Sequence, residues 1–223
     1  MAGTTVPKMK LYYYPPCRSV RCAWIIKELG LDDKVEYKLV PLGGPPHPPP
    51  SPEREEYRKK VHPHSTVPAL EVEGRPTMLE SSAICMYLAD LCGRLAPEPK
   101  DRLEYYDWIQ YASETLDGTL DTLTAQWWFG PPEQQDKQVI TKAMATAGTC
   151  LDKLEDTLEN RSFLLGQGLT AADCVVGYSL YWASLPEMND GVLLKGRPNI
   201  QAYLQRLLAR PALQATLALP GLD

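Results

Sequence analysis

Apolar and polar positions follow two different rhythms along the early part of the chain. The segment "MKLYYY" (Met9–Tyr14) is dense in aromatic residues that suit a pleated surface, and Pro15-Pro16 ends it, which predicts a strand. Cys22, Ile25, Ile26 and Leu29 then recur at helical spacing, with Gly30 as the stop. A second strand is predicted at "VEYKLVPL" (Val35–Leu42), and the charged "EREEYRKK" predicts a short solvated helix. "VPALEVEG" (Val67–Gly74) and "RPTML" (Arg75–Leu79) predict a strand pair turning at Glu73-Gly74. In "ESSAICMYLADL" (Glu80–Leu91) the residues Ile84, Tyr87, Leu88 and Leu91 keep the 3.6 period of a helix. The order is β-α-β-(loop or short α)-β-β-α.

After "CGRLAPEPK" (Cys92–Lys100), whose two prolines and glycine read as a linker, the strand rhythm disappears. Leu116, Leu120 and Leu123 form one helical stripe; Met144, Ala147, Leu151, Leu154 and Leu158 form another. "TAADCVVGYSLYW" (Thr170–Trp182) is apolar nearly all round, which predicts a helix buried on every side. Thr170 and Asp173 stand where a reciprocal capping arrangement would start it. Pro198 is placed to open a further helix through Ile200, Tyr203, Leu204, Leu207 and Leu208. The pattern therefore divides the chain into a small α/β domain over residues 1–92, a linker over 93–99 and an all-α domain over 100–223. The stretch "GGPPHPPPSP" (Gly43–Pro52) fits no regular element and reads as an exposed, semi-stiff loop, with a polyproline ligand for a partner as the alternative.

Composition narrows the function classes. The 223 residues are 44% hydrophobic and 23% charged, with a net charge of −5, so no electrostatic footprint for nucleic acid or an anionic membrane is present. No apolar run is long enough to span a bilayer, and "MAGTTVPKMK" lacks the apolar stretch of a secretion signal. The six cysteines, at 17, 22, 85, 92, 150 and 174, show no C-x-x-C spacing, and three fall in apolar helical segments. They read as core residues of a reduced, cytoplasmic protein, with neither zinc nor a disulfide framework expected.

Four stretches in sequence order resemble the cytosolic glutathione transferases. "KLYYYPPCRSVRCAWIIKELGL" looks like that family's first strand and helix, and its "CRSV" is similar to the delta and theta classes. "TVPALEVEG" with "LESSAICMYLADL" resembles the glutathione-binding half. "FLLGQGLTAADCVVGYSLYW" and "RPNIQAYLQRLLARPA" resemble the buried and last conserved helices of the helical half. The Pro-rich loop has no counterpart in that pattern. The resemblance implies a thioredoxin-like N-terminal domain, an all-helical C-terminal domain and a homodimer. It also implies attack of the glutathione thiolate on a small apolar electrophile held in a cleft between the domains, with no metal.

Residue by residue, the resemblance assigns Val67-Pro68 to a cis-proline edge that pairs with the cysteinyl backbone of the tripeptide. Thr66 supplies a polar contact before it. Glu80 and Ser81 open the third helix, where unpaired N–H groups favour a carboxylate and Glu80 meets the γ-glutamyl ammonium; both are also ordinary capping types. His62, His64, Lys59 and Lys60 read as a solvated loop, one of them being an alternative partner for the glycine carboxylate. Tyr105, Trp108, Trp127 and Trp128 offer aromatic surface for the electrophile, with core or dimer packing as the alternative.

The thiol must ionise to attack. Lowering its pKa from about 8.5 to about 6.5 takes roughly 2.7 kcal/mol, within reach of one hydrogen bond plus a helix N-terminus. Three residues compete to supply that. Without a gap, "CRSV" places Tyr14 where delta- and theta-like members carry their active serine; with one residue inserted after Ser19, "YPPCRS-RCA" matches tyrosine-type members and again selects Tyr14. Cys17, expected in the first helical turn beside Arg18, is the thiol candidate and would point to mixed-disulfide chemistry. Ser19 is the hydroxyl candidate. A glutathione-dependent thiol–disulfide oxidoreductase or isomerase, or a non-catalytic glutathione-binding scaffold, are the alternative functions.

Overall fold

The computed structural model describes residues 6–40, 42, 51–166 and 168–221. Residues 43–50 of the Pro-rich stretch lie outside the described residues. The chain divides into two compact units, residues 1–96 with 210–223, and residues 97–209.

The first unit is built on three strands, β1 (Met9–Tyr13), β2 (Val35–Leu39) and β3 (Ala69–Val72), in the order β2-β1-β3. β1 runs parallel to β2, with Met9 opposite Val35, and antiparallel to β3, with Met9 opposite Val72. The expected second member of the hairpin is reduced to a single bridge between Leu70 and Met78. Burial alternates along β1, so Met9, Leu11 and Tyr13 face the core while Lys10 and Tyr12 face the other side. α1 (Ser19–Leu29) packs on β1 and on α3 (Ser81–Cys92). Gly30 ends α1 in the left-handed region at φ +69°. Its N–H donates to Lys27 O at 3.1 Å and that of Leu31 to Ile26 O at 3.0 Å, the paired bonds of a glycine stop. The short charged helix, α2 (Pro52–Lys60), buries one residue, Tyr57, whose ring lies 5.2 Å from that of Tyr12.

The second unit carries α4 (Leu103–Gln110), a π-helical stretch over Tyr111–Leu116, α5 (Asp117–Trp127), α6 (Lys137–Leu158), α7 (Ala171–Ala183) and α8 (Pro198–Leu208). Burial of α7 runs unbroken from Ala171 to Leu180, as its composition predicts. Its start is the reciprocal Thr170–Asp173 cap, and Asp173 also accepts from Leu164 N–H at 2.9 Å and the Tyr203 hydroxyl at 2.8 Å.

The last helix, α9 (Pro211–Leu217), groups with the first unit, whereas the sequence pattern places it in the all-α part. It packs on α1, and Arg210 donates to both oxygens of Glu28 at 2.6 and 2.7 Å. The Tyr13 hydroxyl donates to Pro220 O at 3.2 Å.

Candidate functional site

The turn from β1 to α1 is wound around the backbone of one residue, Tyr14. Tyr14 N–H donates to Ser19 Oγ at 3.1 Å, and the Ser19 hydroxyl donates back to Tyr14 O at 3.0 Å. Cys17 N–H donates to the same carbonyl at 3.0 Å. Ser19 is fully buried, so its hydroxyl fixes the turn and faces no solvent-borne thiol. Cys17 lies two residues ahead of α1, in the turn, and not within the first helical turn as expected. The Pro15-Pro16 bond of this turn is cis.

The half-buried side chains of Tyr14 and Cys17 pack against the apolar cluster of Val40, Tyr57, Val67 and Ala69. This brings two of the three candidate activators to the cluster that contains Val67, the residue expected to present the peptide-binding edge. Val67-Pro68 is cis, as the resemblance implies.

The edge is held from beneath. Tyr57 on α2 donates its hydroxyl to Thr66 O at 2.7 Å. Burial pushes this phenol far up, with Tyr12 and Glu71 adding to the shift, so it remains a donor at any ordinary pH. Arg54 donates through Nε to Ser65 Oγ at 3.1 Å and through Nη1 to Leu42 O at 2.9 Å. His62 is buried, at 5% exposure, which corrects the expectation of a solvated loop for this residue. Its Nδ1 accepts from His64 N–H at 3.3 Å, and Nε2 stands 3.1 Å from Thr66 Oγ1. His64, Lys59 and Lys60 are exposed. Tyr57 left a signal in the sequence, a lone aromatic in a charged octet; nothing local marks Arg54 or the burial of His62.

α3 begins beside this edge in the chain. Glu80 occupies its N-cap position at φ −89°, ψ 120°, is exposed and makes no side-chain capping bond. Its carboxylate is thus not spent on the helix. Ser81 is buried at 7% exposure; its hydroxyl accepts from Arg21 Nη1 at 3.4 Å, and its carbonyl accepts from the Cys22 thiol at 3.5 Å. Arg21 is a fully buried guanidinium that the sequence reading passed over, because it falls on the apolar side of α1 without a local motif.

The aromatic residues expected to meet an electrophile divide. Tyr105 and Trp108 are enclosed in the second unit at 1% and 3% exposure, so they offer no surface to a ligand. Lys153 lies 4.9 Å from the Trp108 ring centroid, and the indole N–H donates to Glu104 Oε1 at 3.4 Å. Trp127 and Trp128, at the end of α5, are half-buried.

Among the described residues no His/Cys/Asp/Glu group could hold a metal ion, and no helix is long and apolar enough to cross a membrane. No disulfide joins the cysteines; four, Cys22, Cys85, Cys150 and Cys174, are buried.

Comparison with known proteins places this architecture. The glutathione S-transferase N-terminal domain family matches residues 11–95, and the C-terminal domain family matches 124–211. The glutathione S-transferase-like protein LUC7 of Fusarium is 31% identical over 176 residues, 75% of this chain and 76% of that protein. Glutathione S-transferase GstA of Escherichia coli O157:H7 is 26% identical over 224 residues, 96% of this chain and all of that protein. Among solved structures, a Burkholderia graminis glutathione transferase superposes with a TM-score of 0.81 at 26% identity, covering 96% of this chain and 89% of that one. That crystal structure holds two glutathione molecules per subunit. The theta-class enzyme of Xanthomonas axonopodis pv. citri, solved with glutathione bound, gives 0.76 at 25% identity, covering 97% and 100%.

Proposed function

The chain belongs to the glutathione S-transferase family, and from that premise we propose that it ionises the glutathione thiol and joins it to a small apolar electrophile. The tripeptide's cysteinyl backbone lies along Thr66–Val67–Pro68. Its γ-glutamyl end meets Glu80 and Ser81 at the start of α3, where the first N–H groups favour a carboxylate. Tyr14 donates a hydrogen bond to the sulfur, favouring the thiolate, and the thiol proton passes to solvent. A sulfur electron pair then forms the new S–C bond while the leaving group departs with its own pair. Ser19 acts by holding the Tyr14 peptide in place. Trp127 and Trp128 are the aromatic residues of the expected set that retain surface for the electrophile.

The observation that carries this reading is the packing of Tyr14 against the cluster that contains Val67. The same cluster takes in Cys17, which favours a second reading, glutathione-dependent thiol–disulfide exchange, in which the Cys17 thiolate attacks the glutathione sulfur of a glutathionylated disulfide substrate, forming the mixed disulfide as the substrate sulfur leaves as a thiolate. Assays of both activities in Tyr14→Phe and Cys17→Ser separate the two. Conjugation lost on Tyr14→Phe and kept in Cys17→Ser supports transfer; disulfide exchange lost only in Cys17→Ser supports the second reading. Glutathione binding with neither turnover would leave a binding module. A homodimer in the cytoplasm completes the proposal, and light scattering on the purified chain tests the dimer.

A further inference from the structure

The His62 ring sits between a backbone donor and a hydroxyl that can give or accept a hydrogen bond. Nδ1 faces a backbone N–H, that of His64, and must therefore carry a lone pair. Nε2 faces the Thr66 hydroxyl and supplies the proton there. Only one form of the imidazole satisfies both contacts, the neutral ring protonated at Nε2. Adding a proton at Nδ1 sets two donors against each other and breaks the His64 contact. The residues tied by this ring, 62 to 66, lead directly into the Val67-Pro68 edge.

We propose that His62 is a positioning residue for glutathione, whose neutral ring locks the 62–67 turn, so that protonating it releases the turn and weakens binding of the tripeptide. The inference rests on the glutathione reading above. Groups from every packed element bear on the ring. Tyr57 of α2 lies 6.2 Å away between ring centroids and is uncharged, and His64 of the same loop lies 6.0 Å away and disfavours a second positive charge. Glu80 at the start of α3 favours the charged ring, while Arg54 of α2 is engaged by Ser65 and Leu42. Burial outweighs Glu80 and holds His62 below its ordinary value, which keeps the lock closed at neutral pH. Linkage is reciprocal: bound glutathione pushes the ring's midpoint to still lower pH.

The test is calorimetric titration with S-methylglutathione, whose thioether sulfur cannot ionise, from pH 7.5 to 5, a range in which its carboxylates and ammonium do not change charge appreciably. The dissociation constant rises towards the acid side, approaching about tenfold per pH unit below the midpoint of one linked proton. His62→Asn can still accept from the His64 N–H as a local turn but cannot titrate, and removes the rise; His64→Asn keeps it. NMR titration of the unliganded protein shows the His62 ring and the His64 and Thr66 amides moving with one midpoint. A pH-independent affinity in the native protein, a rise that survives His62→Asn, or amides that do not follow the ring overturns the inference. Absence of glutathione binding at every pH, with the amides still following the ring, overturns the functional reading and leaves the lock intact.

Discussion

Two bonds on one buried hydroxyl decide where Tyr14 points. Ser19→Ala leaves the Tyr14 N–H and carbonyl without that partner, at a cost of about 1–3 kcal/mol. Urea unfolding reads the loss directly, and conjugation falls with it because the phenol is no longer held. Tyr14→Phe works differently: stability barely changes, since the ring still packs on the cluster, while the hydrogen bond to the thiolate disappears. A bond to a charged acceptor is worth about 1.5–3 kcal/mol, so kcat/KM for conjugation drops roughly 10- to 150-fold, measurable with an activated aryl halide. A glutathione thiol pKa unchanged by Tyr14→Phe, read from the thiolate absorbance of the bound tripeptide, contradicts that role.

At the scale of elements, α2 is a brace for the loop that follows it, with Tyr57 and Arg54 as its two points of attachment. Removing one hydroxyl, in Tyr57→Phe, raises KM for glutathione several-fold with little change in kcat, because the contact serves binding of ground and transition states alike. The helix itself was legible from charge, but its function was not. Its single aromatic residue marked a buried face, and neither period nor composition told what that face supports. The same limit separates the parts of the site. Val67-Pro68, Tyr14 and Glu80 became candidates because they sit in local motifs. Arg21 and Arg54 act through contacts with residues that chain spacing does not predict, such as Arg21 with Ser81, whereas His62 stood out as a loop residue and only its burial went unread. Tyr105 and Trp108 show the converse, since aromatic residues at helical spacing read equally well as a pocket wall or as core, and burial alone distinguishes them. The strand expected over 75–79 shrank to one bridge because a short apolar run carries no information about how many ladder bonds it makes.

For the molecule as a whole, two buried polar centres set its resistance to change. Asp173 accepts four hydrogen bonds, from Leu164 N–H, Thr170 N–H, the Thr170 hydroxyl and the Tyr203 hydroxyl, and so ties α7 and α8 to the preceding loop. Asp173→Ala strands several donors and costs about 3–5 kcal/mol, a fall of about 10 °C or more in Tm by calorimetry. His62 gives a pH dependence of known sign. Its folded value lies below the ordinary 6.5, so the unfolded chain takes up the proton first. That contribution is complete above about pH 6.5 and is lost as pH falls through the lower, folded value; urea midpoints at pH 7.5 and 5.5 show the difference, and His62→Asn narrows it. The clasp of Arg210 on Glu28 and the seat of α9 on α1 carry a consequence for biosynthesis. β1 and α1 are synthesised before the second unit and α9 after it, so the first unit stays open along α1 until α9 has left the ribosome. A fragment stopping at residue 96 therefore leaves α1 uncovered on that side, and joining residues 210–221 to it through a short artificial linker restores what truncation takes away.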